Sequence, residues 1–238
     1  MLNQLKRLYL LPASLLVLLV GCNDSNNSPM VISEPDPMPV VEFSYQVEVT
    51  NLTYAQPFSP LAVVLHDNTT LWNIGESASA GLEMLAEGGD TSAFMADQQV
   101  LAMASNDGIL LPGASALVTI TTSDEMATYF TLATMLVNTN DAFSGLTGID
   151  LSLMALDQSQ SWTLGAYDAG SEMNSEMAGT MPGPADGGTG FDENRDDVDF
   201  VAMHPGIVSS DDGLTTSTLT QAHRFDGPVL KLTLTRIK

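Results

Sequence analysis

Phe43, Tyr45, Val47 and Val49 alternate with Ser44, Gln46, Glu48 and Thr50, and near the other end Leu230, Leu232 and Leu234 alternate with Lys231, Thr233 and Thr235. A period of two sends alternate side chains to opposite faces of an extended chain, so both segments read as half-buried strands. Further strand candidates are the apolar run 61–65 (LAVVL), ASALVTITT at 114–122, YFTLATMLV at 129–137, GIDLSLMAL at 148–156 and SWTLGAY at 161–167. One helical stretch, residues 75–87, carries Leu82, Leu85 and Ala86 on one face and stops at Gly88 and Gly89. Thr91 is positioned to cap a second short helix ending at Gln98. Residues 179–199 have no apolar period and much Gly, Pro and Asp, which predicts a long loop, ordered only if something holds it. Many short strands, frequent turn signals and little helix predict an all-β fold, an antiparallel β-sandwich of about eight strands with one or two short helices.

The first segment reads differently. Lys6 and Arg7 precede the apolar run LYLLPASLLVLLV, and Leu19, Val20, Gly21 and Cys22 follow it. This order is that of a secretory signal, and LVGC resembles the lipobox of bacterial lipoproteins, in which the signal is removed before an acylated Cys. The apolar run is short for a membrane span, which is the alternative reading. The expectation is a signal peptide at 1–21, a flexible Pro-rich tether at 22–40 and a folded domain at 41–238, held to a lipid bilayer through acylated Cys22. Asn23, where inner-membrane retention commonly uses Asp, favours the outer membrane, on its periplasmic or surface face. Cys22 is the sole cysteine, so the domain has no disulfide and depends on its core, its hydrogen bonds or a bound ion.

The formal net charge is −22, from 7 basic and 29 acidic residues. Such a surface repels phosphate backbones and excludes nucleic acid as a partner. It suits either solubility in salt or attraction for divalent cations. The three histidines, His66, His204 and His223, lack the spacing of a metal pair, and no GxSxG, HExxH or glycine-rich phosphate loop occurs. Asp192, Glu193, Asp196, Asp197 and Asp199 form an acidic cluster without EF-hand spacing, which reads as a solvated loop.

The order of QVEVTNLTYAQPFSPLAVVLH, WNIGESASAGLEMLAEGGD, TLATMLVNTNDAFSGLTG, YDAGSE and FVAMHPGI resembles the spondin N-terminal domain family, in its bacterial branch without disulfides. The resemblance runs from about Val41 to Lys238 and implies a secreted or surface-attached β-sandwich that binds one calcium ion. It implies Asp141 of NDAFSG, with Asp168 and Glu172 of YDAGSE, as the metal ligands, and a structural role for His204 in the MHPG turn. Glu172 stands where the animal members have Asp. The chemistry is coherent, since calcium takes six to eight oxygens and clustered carboxylates without a cation repel one another. Ordinary turn preference is the plainer account of the same residues.

The functional expectation is a non-enzymatic, lipid-anchored, calcium-binding module for adhesion or surface interaction, with an extracellular or envelope protein or a glycan as partner. A metal-assisted hydrolase of surface glycans or peptides, using Asp141, Asp168 or Glu172 as acid and base, is the alternative. A purely structural envelope protein is the third.

Overall fold

The computed structural model describes residues 40–238. The expected signal at 1–21, the lipidation site Cys22 and the tether up to Pro39 lie outside the described residues. In chain order the elements are β1 (Phe43–Asn51), β2 (Ala62–His66), α1 (Ala80–Gly88), α2 (Ser92–Met95), β3 (Val100–Ala104), β4 (Ser115–Thr122) and β5 (Tyr129–Met135). They continue with β6 (Ala142–Asp150), β7 (Ser159–Leu164), β8 (Ala166–Asp168), β9 (Ala202–Met203) and β10 (Leu230–Arg236). Two antiparallel sheets result: four strands in the order β4-β1-β10-β7, and six in the order β3-β2-β5-β6-β8-β9.

The alternating segments behave as their period predicts. Tyr45, Val47 and Val49 of β1 and Leu230, Leu232 and Leu234 of β10 point inward, where they meet Val63 and Leu65 of β2 and Phe130 and Leu132 of β5. Each such buried aliphatic side chain contributes about 1.5–3 kcal/mol. The outward face of the smaller sheet is polar, and its hydroxyls pair across strands, as in Ser44–Thr121 at 2.8 Å and Ser159–Thr235 at 2.7 Å.

The larger sheet is covered on both sides. Ala62 and Val64 of β2, Ala133 of β5 and Phe143 of β6 pack against Leu82, Leu85 and Ala86 of α1 and Phe94 of α2. Burial on both faces explains why LAVVL is uniformly apolar. Helix α1 starts at Ser79, whose hydroxyl accepts the Leu82 N–H, and ends on Gly89 at φ 69°. It is shorter at its beginning than the sequence predicts, because residues before Ser79 form turns.

Three local expectations are corrected. The strand expected at 148–156 forms instead at Ala142–Asp150. Asp150 turns the chain by accepting the Ser152 N–H at 2.8 Å, and Leu151 and Met154 fold under as buried plugs. Thr91 makes no side-chain cap on α2; Asp90 accepts the Ser92 N–H instead, at 2.8 Å. Ten strands form where the pattern predicts about eight, since β3 is an edge strand of small or exposed side chains and β9 is only two residues long.

Candidate metal centre

The turn between β5 and β6 is polar in sequence and buried in space: Asn138, Thr139, Asn140 and Asp141 are all 2 % exposed or less. Buried polar groups need partners, and here they have them. Thr139 Oγ1 donates to Leu136 O at 2.6 Å and accepts the Ala142 N–H at 3.1 Å, which closes the turn. Asn138 Oδ1 accepts the Ala185 N–H, and Asn140 donates to Thr180 Oγ1 at 3.0 Å, so both tie the turn to the loop beyond residue 170.

Strand register then brings the acids together. β6 pairs antiparallel with β8, with Ala142 opposite Asp168. Asp141 therefore stands at the entrance to β6 beside Asp168 at the exit of β8, and Ala169 N–H still reaches Asp141 O at 3.3 Å. The chain next wraps back over Asp141. Ser171 N–H and Glu172 N–H both donate to Asp141 Oδ2, at 2.9 and 3.2 Å. Asp168 Oδ1 accepts the Gly170 N–H at 2.8 Å within the same turn. Gly170 is required there: its φ is +72°, and a Cβ would lie 2.3 Å from Phe200 O.

The second oxygen of Asp141, Oδ1, is buried and has no hydrogen-bond partner. Burial, then the Asp168 charge, pushes the Asp141 carboxyl up to about 8 against the pull of the two N–H groups. Asp197 adds to the same push and is itself raised, by burial and then by Asp168. The raised Asp141 carboxyl favours its protonated form, and a cation beside it would relieve the same repulsion.

Asp168 is held from behind. Asn174 Nδ2 donates to Asp168 Oδ2 at 2.6 Å, and His204 lies 3.0 Å from Asn174 Oδ1. Gly206 N–H donates to His204 Nδ1 at 3.0 Å, which leaves the ring proton on Nε2 for Asn174. Burial pushes His204 down to about 4, so it stays neutral. His204 thus braces Asn174, which in turn holds Asp168.

Glu172 is brought to the site by its backbone, and its carboxylate goes elsewhere. Glu172 Oε1 accepts from Asn140 Nδ2 at 2.8 Å. Burial, then the nearby charges of Glu87, Asp196 and Asp192, raise it to about 7 despite that hydrogen bond. Among the described residues, no three His, Cys, Asp or Glu side chains converge into a ready-made cation site. Asp141 and Asp168 are nevertheless an oxygen-only pair with one empty buried lone-pair position, and that chemistry fits calcium.

The acidic loop is solvated on its outer side, as its composition suggests, with Asp192, Glu193, Asp196 and Asp199 exposed, but its backbone is held. Asp196 N–H donates to Ser171 O at 3.1 Å and Asp199 N–H to Gly170 O at 2.7 Å, so the loop lies against the YDAGSE turn. Arg195 fastens it to Glu83 and to Ala78 O. Met181 of the same loop is fully buried with Ile207 and Leu219. Asn140, Asn174 and Asp197 are thus site residues that sequence reasoning missed. Only Asp197 carried a signal, as part of the acidic run.

No protein-family model matches the chain, and no curated protein matches it.

Proposed function

We propose that this is a calcium-binding β-sandwich module that presents ion-stabilised loops for adhesion or surface interaction. The observation that supports it most is the buried, partnerless Oδ1 of Asp141 beside the charge of Asp168. Asp141 and Asp168 would hold the ion, with Asp197, whose charge acts on Asp141, as a further carboxylate and carbonyls and water filling the shell. Glu172 serves the site through its N–H on Asp141, and its carboxylate joins only by leaving Asn140. When bound, the cation neutralises the carboxylates and locks the turns around residues 138–141 and 168–174 against the loop 192–199. The face so stiffened is the surface on which an envelope or extracellular protein or a glycan would dock.

The resemblance to spondin N-terminal domains supports this reading, and the LVGC sequence supports attachment to a bilayer through acylated Cys22. Titration calorimetry of the chain with calcium tests the ion. A binding isotherm that disappears in Asp141→Asn supports the reading; an unchanged isotherm, or none in the parent, rejects it. Fractionation of a Cys22→Ser variant tests the anchor, which predicts loss of the protein from the membrane fraction.

A further inference from the structure

The connection that follows β2, the start of α1, helix α2 and the turn into β3 line a cleft of about 480 Å³, the size of a small-ligand site. It shares no residue with the Asp141–Asp168 pair. Its walls are held by hydrogen bonds of their own. Gly75 N–H donates to Val201 O and Val201 N–H to Glu76 O, both at 2.8 Å. Ser77 Oγ donates to Asp199 O at 2.8 Å, so residues 75–77 are pinned to the end of the acidic loop. Gly81 of α1 lies against the Phe94 backbone, where a Cβ would come within 2.9 Å, so α1 and α2 meet at residues that line the cleft. Asp97 Oδ1 accepts the Gln99 N–H at 2.9 Å and turns the chain towards β3.

The side chains in the cleft are half used. Asn68 Nδ2 donates to Gln99 Oε1 at 2.8 Å, which orients the Gln99 carboxamide and leaves its NH2 as a donor. Asn73 Nδ2 donates to Glu76 Oε2 at 3.0 Å, which leaves Asn73 Oδ1 and Glu76 Oε1 as acceptors. Among the described residues, none of these three groups has a partner. Trp72 borders the cleft and is only 6 % exposed. Its ring packs on Phe94, Phe143 and Tyr167, closest to Phe143 with the centroids 5.4 Å apart. Its indole N–H has no partner among the described residues and is not sealed from water. A buried indole N–H normally finds an acceptor, and the cleft is the opening that Trp72 borders. Leu71 and Phe94 add apolar surface to the same lining.

These groups define the ligand. The lining carries Glu76 and Asp97 and no Lys, Arg or His, so an anion is repelled. An ammonium group suits the carboxylates but has no acceptor to offer the Gln99 NH2 or the Trp72 N–H. A hydroxyl both donates and accepts, so neighbouring hydroxyls on one ring match a lining of mixed donors and acceptors. The C–H surface of such a ring matches Leu71, Trp72 and Phe94. Amides already held by their own hydrogen bonds lose little freedom when a ligand arrives. We propose that this cleft binds a neutral saccharide through a hexopyranose unit, with Gln99 donating to its hydroxyls and Asn73 and Glu76 accepting from them. The inference rests on the surface-interaction reading and narrows the partner to a glycan, but it needs no ion at Asp141.

The test follows the two indole N–H signals of the full chain, Trp72 and Trp162, in proton–nitrogen NMR spectra, assigned with Trp162→Phe. Glucose, galactose, mannose and N-acetylglucosamine are titrated in turn, in EDTA and in calcium, with spermidine as the cationic comparison. At least one sugar should move the Trp72 signal saturably and leave Trp162 in place. Gln99→Glu keeps an oxygen for Asn68 but loses the donor, and should weaken that sugar about tenfold. Asn73→Ala, at an exposed position, should weaken it as well, and circular dichroism checks that both variants are folded. No movement with any of the four sugars, unchanged affinity in both variants, or movement with spermidine alone overturns the proposal. The calcium reading fails separately. A sugar response in a chain that binds no calcium leaves the cleft standing, and a calcium isotherm without a sugar response rejects the cleft alone.

Discussion

The two oxygens of Asp141 are unlike: Oδ2 takes two backbone N–H groups and Oδ1 takes nothing. Asparagine preserves an oxygen for those donors and replaces a buried charge with an amide. Asp141→Asn is therefore expected to melt higher than the parent in EDTA, by on the order of 1 kcal/mol, and to lose its response to calcium. A variant that melts lower yet still responds to calcium contradicts the assignment. The same chemistry sets a pH dependence. Asp141 is raised from 3.8 to about 8 and Glu172 from 4.5 to about 7, so the ion-free folded chain keeps protons that the unfolded chain has released. Stability then falls as pH rises through those windows. His204, lowered from 6.5 to about 4, opposes this only below about pH 6.5, where the unfolded imidazole takes a proton that the folded one refuses. Between pH 6.5 and 8 the melting temperature in EDTA should fall, and calcium should flatten the fall by taking the place of the protons. A melting temperature in EDTA that climbs over that range contradicts the account.

At the scale of elements, the turn at 168–172 is the part on which the site depends. Gly170 meets the Phe200 backbone with φ +72°, so Gly170→Ala must move either the turn or the loop. A loss of about 2 kcal/mol or more and a weakened calcium isotherm are expected, measured by denaturant unfolding and calorimetry. An unchanged midpoint would show that the turn is free to shift. The elements differ in how clearly the sequence announced them. β1 and β10 were plain because one face is wet and the other dry, which writes a period of two into the residues. β6 was displaced by six residues at its start because its buried positions include Ser144, whose hydroxyl reaches Gly165 O at 2.8 Å, and small residues that carry no alternation. The apolar letters that follow, Leu151 and Met154, are plugs under a turn. β3 hides for the opposite reason, since Leu101 and Met103 face outward and leave no polar side to read. In the site, Asp141 and Asp168 were legible as turn acids, whereas Asn140 and Asn174 were not, because an amide acquires its role only from the groups that the fold sets around it.

For the whole molecule, composition announced a charge of −22 but not its placement. Glu83, Glu87, Asp141, Asp168 and Glu176 are all buried, and among the described residues only Glu83 of these has a basic partner. Two of the others, Asp141 and Asp168, flank the 168–172 turn in a chain without disulfides, so a cation bound there would stabilise the entire fold by mass action. Magnesium should substitute poorly, because it keeps a tight octahedral shell and sheds its water reluctantly. The most direct measurement is the melting temperature of the chain at pH 7.5 in EDTA, in calcium and in magnesium, for the parent and Asp141→Asn. At a hundredfold excess over its dissociation constant, one calcium ion should add about 2.7 kcal/mol, roughly 5–10 °C for a domain of this size, with little gain from magnesium and none from calcium in the variant. Equal melting temperatures in EDTA and calcium for the parent, or the same calcium shift in Asp141→Asn, would contradict the account.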